Sequence, residues 1–278
     1  VEPTLVTLSA KYKSIEEIFT CGLNGKFLSV DSIISVQKRT QAMTLADYFN
    51  EYPLVFRTTT DDRICEGDIS SGNVDLSLFD SDKISIIDWE KSNTNINIEF
   101  YKDSDFPKDK ERKNSIQDTV KEILLSDEKY NYIIFDHGSG ETADFITSIV
   151  RDKEILVSFY HVKKMGGQKY NSDIGDIYEV TSQSIKSLIW IKSAGTLIAK
   201  IKERGYANHG VFLKGRFSDF AADLRDSNRM LRCEIVIVQP AISKSSLLPE
   251  KYQEVLSSAS MHFINHGKVK EFIVWGSK

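Results

Sequence analysis

A short apolar hairpin constrains the fold of this chain more than any other feature. Residues 141–150 and residues 154–163 each have the length and apolar content of a strand, and they are almost adjacent in the sequence. With Asp152 and Lys153 as a two-residue turn, these segments form an antiparallel hairpin with a defined register. Because strand side chains alternate between two faces, this register determines which side chains meet. A slip of one residue would separate them.

The register brings three polar side chains to one end of the hairpin. Asp144 lies opposite His161, and directly opposed residues share a face with Cβ atoms about 4.5–5.5 Å apart. Lys163 follows His161 by two residues and therefore points the same way. A buried carboxylate and a buried ammonium are costly unless they are paired, so their presence indicates a site. The ordinary alternative is a strand that runs out into solvent, where polar residues are expected.

The segments around the hairpin follow a regular order. Ser115 and Asp118 have the spacing of a helix N-cap, and Asp176 with Glu179 predicts a second capped helix that reaches residue 190. Further strands are predicted at residues 130–135, 210–214, 231–239 and 271–275, and further helices at residues 217–226 and from residue 249. The order from residue 115 is therefore α-β-β-β-α, followed by β-α-β and a final helix and strand.

The first 110 residues are predicted to form a separate α/β region of unknown role. A short capped helix is expected at residues 44–50, and a half-buried strand at residues 96–100, where apolar and polar residues alternate. Residues 102–114 are almost wholly polar and include a proline, which is typical of a linker. We therefore expect one domain over residues 1–110 and a second over residues 111–278.

Composition narrows the class of protein only slightly. The chain has 278 residues, of which 41% are hydrophobic, and no apolar run is long enough to span a bilayer, so no membrane partner is expected. Cys21, Cys65 and Cys233 lack metal-type spacing and are expected to be reduced thiols of a cytoplasmic protein. A net charge of −4 argues mildly against nucleic-acid binding, although a local basic groove would suffice for it.

Two phrases of the hairpin, GETADFI at residues 140–146 and ILVSFYHVKK at residues 155–164, resemble the PD-(D/E)xK nuclease superfamily. The resemblance implies a mixed α/β fold with a restriction-endonuclease-like α-β-β-β-α-β core that binds Mg²⁺ or Mn²⁺. It identifies Asp144 as the metal-binding acid of the second core strand and Lys163 as the lysine of the third. His161 stands where the family has Asp or Glu. It is either a metal ligand as a neutral imidazole or the mark of an inactive copy.

A second resemblance concerns the wider context. The phrases DIYEVTSQSIKSLIW at residues 176–190 and CEIVIVQPAIS at residues 233–243 are similar to the C-terminal region of bacterial DEAD/DEAH-box helicase-like proteins, some linked to phage defence. This implies DNA (or RNA) as a partner, together with a helicase or ATPase domain or subunit, and leaves oligomer formation open. Gln183 matches the glutamine of the helix that follows the nuclease core, where it would position metal or substrate. A glutamine on a helix is otherwise usually solvated.

Several further side chains are secondary candidates, each with an ordinary alternative. Accessory acids for a second metal are Asp136 and Glu141, which also fit a capped hairpin end, and Glu122, which also fits a solvated helix face. Possible nucleic-acid contacts are Lys164, Lys169 and Lys186. We interpret His137, in its glycine-rich turn, as a surface residue.

The sequence therefore predicts a metal-dependent nuclease that hydrolyses phosphodiester bonds, with DNA preferred, in phage defence or DNA processing beside a helicase. The alternative is a module that kept the nuclease fold, lost the chemistry, and binds nucleic acid or a partner protein. Both the histidine at position 161 and the acidic net charge favour this alternative.

Overall fold

A computed structural model describes residues 6–12, 14–21, 26–29, 32–38, 41–52, 54–57, 63–65, 68–70, 79–101, 113–167, 169–206, 209–266 and 268–278. The chain divides into two compact units, residues 1–74 with 192–194 and residues 75–191 with 195–278. This division differs from the boundary near residue 110 that the polar segment predicts. The reason is that a strand at Ile84–Ile86 pairs with the sheet of the second unit. Residues 102–112 of the expected linker lie outside the described residues.

The described residues of the first unit form short strands and one helix. Its elements are β1 (Val6–Tyr12), β2 (Ile15–Cys21), β3 (Phe27–Ser29), β4 (Ser35–Lys38), β5 (Gln41–Thr44), α1 (Leu45–Glu51), β6 (Val55–Arg57), β7 (Arg63–Cys65) and β8 (Asp68–Ser70). The capped helix expected at residues 44–50 is confirmed, because the Thr44 hydroxyl accepts a hydrogen bond from the Asp47 amide. Ala46 of this helix forms a small buried cluster with Phe19 and Phe27.

The second unit contains the predicted hairpin. Its elements are β9 (Ile84–Ile86), α2 (Ile116–Ser126), β10 (Tyr132–Asp136), β11 (Phe145–Val150), β12 (Glu154–Val162), α3 (Gly175–Lys186), α4 (Ala194–Tyr206), β13 (Gly210–Lys214), α5 (Phe217–Arg225), β14 (Met230–Ser243), α6 (Glu250–Asn265) and β15 (Val269–Ser277). Seven strands form one sheet in the order β13-β10-β11-β12-β14-β15-β9. The pairs from β13 to β12 are antiparallel, and those from β12 to β9 are parallel.

The predicted register of the hairpin is confirmed. Phe145 pairs with Tyr160 and Val150 with Ile155, and the Arg151 amide donates to the Glu154 carbonyl across the turn. The helix before the hairpin also agrees with the sequence, since Ser115 and Asp118 form a complete capping box at the start of α2. Sequence alternation and capping chemistry therefore determine this part of the fold.

One face of the sheet packs against α2. Buried side chains of β12 (Tyr160 and Val162) and of α2 (Ile116, Val120 and Leu124) belong to a single apolar cluster there. On the other face, α3 lies against β12 and β14, and α6 lies against β15 and α3. Because strand side chains alternate, His161 points to the α3 side of the sheet.

Three details of the sequence prediction are wrong. Residues 96–100 form turns instead of a strand, and the carbonyls of Ile98 and Glu99 accept hydrogen bonds from the first amides of α2. The second helix has no capping box, since Ile174 is its N-cap and makes no side-chain cap bond. The helix α4 lies in a stretch to which the sequence assigned no element. Among the described helices, none is both long and apolar enough to cross a bilayer.

Candidate metal centre

Asp144 lies immediately before β11, and its carboxylate is almost fully buried, with 2% of the residue exposed. One oxygen, Oδ1, accepts a 2.6 Å hydrogen bond from the Gln117 amide of α2, and Oδ2 accepts a 2.8 Å bond from the Val162 backbone amide. Burial raises the pKa of Asp144. The predicted central acid therefore sits at the junction of α2, β11 and β12, where each oxygen keeps a lone pair for a further ligand.

His161 does not share this environment, contrary to the sequence prediction. Regular strand geometry begins only at Phe145, so alternation does not extend to Asp144, whose carboxylate turns towards α2. The His161 ring points the other way, and its Nε2 lies 2.8 Å from the Ser187 hydroxyl. Burial lowers the pKa of His161 to about 3, so the ring is neutral. A role for His161 as a metal ligand together with Asp144 is therefore not supported.

Two other side chains join Asp144 instead. His137 and Glu141 lie in the turn between β10 and β11, where Gly138 and Gly140 adopt positive φ angles of 106° and 77°. One potential ligand atom from each of His137, Glu141 and Asp144 lies within 4.8 Å of the others. The Glu141 carboxylate also accepts a 3.0 Å hydrogen bond from the Gly138 amide, which orients it within the turn.

The charges of this group are strongly coupled. Burial, followed by the nearby Asp144 carboxylate, raises the pKa of Glu141 to about 7. The Asp144 carboxylate raises the pKa of His137, whose Nδ1 lies 3.8 Å from Asp144 Oδ1. Two acids that resist ionisation beside each other form a site at which a cation would relieve their repulsion.

Two buried polar atoms beside this group make no hydrogen bond among the described residues. They are the His137 Nδ1 atom and the Gln117 Oε1 atom. The His137 ring is held by aromatic contacts, 4.5 Å from Phe100 and stacked on Phe135 at 5.9 Å between ring centroids. One imidazole and two carboxylates are suitable donors for Mn²⁺, and carboxylates with water suit Mg²⁺.

Lys163 is connected to this group through Glu99. Its ammonium lies 2.6 Å from the Glu179 carboxylate of α3 and 3.4 Å from the Glu99 carboxylate. Burial alone lowers the pKa of Lys163, but the two carboxylates outweigh it and raise that pKa, so the side chain remains a cation. Burial raises the pKa of Glu99; Lys163 opposes that effect and Asp144 adds to it. Glu99 is therefore electrostatically coupled to both predicted catalytic residues.

The other site residues predicted from the sequence differ in burial and in their partners. Asp136 is fully buried in an ion pair with Arg204, and Glu122 is exposed on α2. Gln183 is half-buried on α3. The predicted nucleic-acid contacts Lys164, Lys169 and Lys186 are all exposed.

Three members of the centre, His137, Glu99 and Gln117, were not predicted from the sequence. His137 precedes Asp144 by seven residues in a glycine-rich turn, a spacing that could have identified it as a ligand once the turn was recognised. Glu99 and Gln117 carry no comparable local signal. Both reach the site because residues 96–101 and the first turn of α2 pack together, and such non-local contacts are invisible in a single sequence.

Comparisons with known proteins leave the family open. No family model matches the chain, and neither the curated proteins nor the solved structures yield a significant match. The arrangement of side chains and strands is therefore the basis for any functional conclusion.

Proposed function

We propose that this chain is a divalent-metal-dependent nuclease that hydrolyses phosphodiester bonds, with DNA as the expected substrate. The observation that carries the proposal is the grouping of His137, Glu141 and Asp144 within 4.8 Å, with Lys163 connected to it through Glu99. A group of potential metal ligands beside the positive charge of Lys163 is suited to phosphoryl transfer, because that reaction depends on positioning and electrostatic stabilisation.

The order of elements supports the same class. The helix α2, the antiparallel strands β10, β11 and β12, the helix α3 and the parallel strand β14 follow the α-β-β-β-α-β order that the nuclease resemblance implies. Here α4, β13 and α5 are inserted between α3 and β14. Asp144 lies just before the second strand of this series and Lys163 lies just after the third.

A bound Mg²⁺ or Mn²⁺ would be held by His137, Glu141 and Asp144, and would supply Lewis-acid polarisation of the phosphate and an activated water. Gln117 orients the Asp144 carboxylate through its amide. In this proposal Lys163 stabilises negative charge on the phosphate, because its raised pKa keeps it protonated. Glu99, with its own raised pKa, takes up the proton of the attacking water.

The wider context is also part of the proposal. Lys164 and Lys169 are exposed beyond the end of β12, and Lys186 is exposed at the end of α3, so all three are available to phosphate groups. A helicase or ATPase partner, a role in phage defence and a cytoplasmic location follow from the resemblance and remain predictions.

Metal binding is tested first with paired variants. We expect Mn²⁺ titration calorimetry to detect binding to the wild-type protein, and Asp144→Asn and Glu141→Gln to weaken it by more than about tenfold, as loss of even an outer-shell group commonly does. Glu122→Gln is the matched control, because Glu122 is an exposed acid on α2. Equal losses in all three variants, or no binding by the wild-type protein, would contradict the proposal.

Cleavage is tested with a second pair. We expect plasmid nicking in Mn²⁺ to be abolished in Lys163→Met and retained in Lys153→Met, whose lysine is exposed in the turn at the other end of the hairpin. DNA binding that is indifferent to Asp144→Asn, with no nicking by the wild-type protein, would instead support the inactive binding module. The histidine at position 161 favours that outcome, since it leaves the third core strand without its usual acid.

A further inference from the structure

The turn that carries His137 and Glu141 is bound by an arginine from another element, Arg204 of α4. Arg204, near the end of α4, is 4% exposed, and its three guanidinium nitrogens donate to this turn and to Asp136, the last residue of β10. Nε donates to Asp136 Oδ1, Nη1 donates to the Ser139 carbonyl at 2.7 Å, and Nη2 donates to the His137 carbonyl at 3.1 Å. The N–H donors of the planar guanidinium group thus match three acceptors that lie within residues 136–139.

Asp136 extends the same connection to the far side of the turn. Its second oxygen accepts a 2.8 Å hydrogen bond from the Thr142 amide, two residues before Asp144. The Arg204–Asp136 pair therefore contacts the turn at residues 137 and 139 on one side and at residue 142 on the other. These contact points lie beside all three candidate metal ligands in the chain.

The Arg204 side chain packs closely against two glycines, Gly210 and Gly140. A Cβ atom added to Gly210, which pairs with Asp136 across β13 and β10, would lie 3.1 Å from the Arg204 Cβ. A Cβ atom at Gly140 would lie 3.7 Å from Arg204 Nη1, in ordinary contact. The small residue at position 210 lets the helix approach the turn closely enough for the guanidinium to reach its carbonyls.

A buried ion pair is an inefficient way to stabilise a fold. The loss of hydration offsets most of the attraction, and apolar replacements of such pairs are often neutral or stabilising. Lysine would neutralise Asp136 as a point charge but would not reproduce the fork of donors. Position 204 therefore requires arginine because its donors match the acceptors of the turn; a positive charge alone would not be sufficient.

We propose that Arg204 is a positioning residue of the candidate metal centre, which fixes the separation of His137, Glu141 and Asp144 by binding the turn that carries the first two. This inference rests on the proposed function for its consequence, which is metal affinity. Its structural part, the ordering of the turn, holds independently of any metal.

The test compares Arg204→Lys with the control Arg229→Lys, whose guanidinium pairs with Asp223 and Asp226 in and just after α5. We expect Arg204→Lys to weaken Mn²⁺ binding about 10- to 100-fold, the usual effect of losing a residue that orients ligands. Arg229→Lys should bind as tightly as the wild type. Hydrogen exchange of the Gly138 and Thr142 amides, measured without metal, should accelerate only in Arg204→Lys.

Rescue separates positioning from a general loss of structure. Low concentrations of guanidinium, far below those that denature proteins, should restore Mn²⁺ affinity to Arg204→Ala and leave the affinity of Arg229→Lys unchanged. If Arg204→Ala does not fold, the comparison of Arg204→Lys with Arg229→Lys decides. If Arg204→Lys binds Mn²⁺ with wild-type affinity and its amide exchange is unchanged, the role of Arg204 is contradicted, while the proposed function is unaffected. Failure of the wild-type protein to bind Mn²⁺ would contradict the proposed function, while the amide exchange would still decide on the ordering of the turn.

Discussion

At the scale of single residues, the candidate centre has two groups, His137 and Glu141, whose raised pKa values favour the protonated form. A bound cation would displace these protons. The pKa of Glu141 is raised to about 7 by burial and by Asp144, and the Asp144 carboxylate also raises the pKa of His137. Both groups therefore carry protons in mildly acidic solution. In the absence of metal, the protonated form of Glu141 is the one that folding favours, and this contribution to stability is lost as the pH rises from 4.5 through about 7.

We predict that metal binding releases protons. A ligating carboxylate and imidazole must both be deprotonated, so Mn²⁺ affinity should increase as the pH rises through neutrality. Calorimetry in buffers of different ionisation enthalpy should show that Glu141→Gln releases about one proton fewer than the wild type in mildly acidic solution. Equal proton release by the two proteins, in conditions where both bind Mn²⁺, would show that Glu141 is not a ligand.

At the scale of elements, β12, the 3-10 helix at Ser187–Lys192 and the turn before β11 are connected by two buried hydrogen bonds. The Ser187 hydroxyl donates to the Thr142 carbonyl at 2.7 Å, so its single proton is used and it must accept from His161 Nε2. His161 is thus connected through Ser187 to the turn of the candidate centre.

We predict that Ser187→Ala destabilises the protein by about 1–3 kcal/mol, because it leaves a buried ring N–H and a carbonyl without partners. Ser184→Ala is the matched control, since Ser184 is equally buried and its hydroxyl donates to the Thr181 carbonyl of its own helix. Urea denaturation measures both. Equal free energies of unfolding in the two variants would show that the connection through His161 contributes nothing.

Elements also explain what the sequence could predict and what it could not. The register of the hairpin followed from alternation and a two-residue turn, because both are local properties. The side-chain direction of Asp144 did not, because regular strand geometry begins one residue later and a hydrogen bond from Gln117 turns the carboxylate to α2. Arg204 could not be identified, since its acceptors lie more than sixty residues away in the chain.

At the scale of the whole molecule, every side chain of the candidate centre belongs to the second unit, which begins at Asp75. That unit includes residues before 111 that the polar linker would have separated from it. Trp89 is buried in the apolar cluster that α2 covers, β9 pairs with β15, and Glu99 pairs with Lys163. The polarity of residues 102–114 therefore does not mark the start of the second unit.

We therefore predict that a chain truncated to residues 75–278 unfolds cooperatively and binds Mn²⁺ with the affinity of the full chain. Truncation to residues 111–278 should lower the free energy of unfolding by at least about 3 kcal/mol, the usual cost of removing a buried aromatic side chain. Chemical denaturation of the two fragments provides the measurement. Equal stability would place the folded unit after residue 110, as the linker alone suggests.

The central claim is that the turn between β10 and β11 holds a divalent cation together with Asp144. Crystals soaked in Mn²⁺ and measured for anomalous scattering test it most directly. The expected result is a peak in contact with His137 Nδ1, Glu141 and Asp144, and none beside the His161 ring. A peak at His161, or no peak beside Asp144 at saturating Mn²⁺, would contradict the claim.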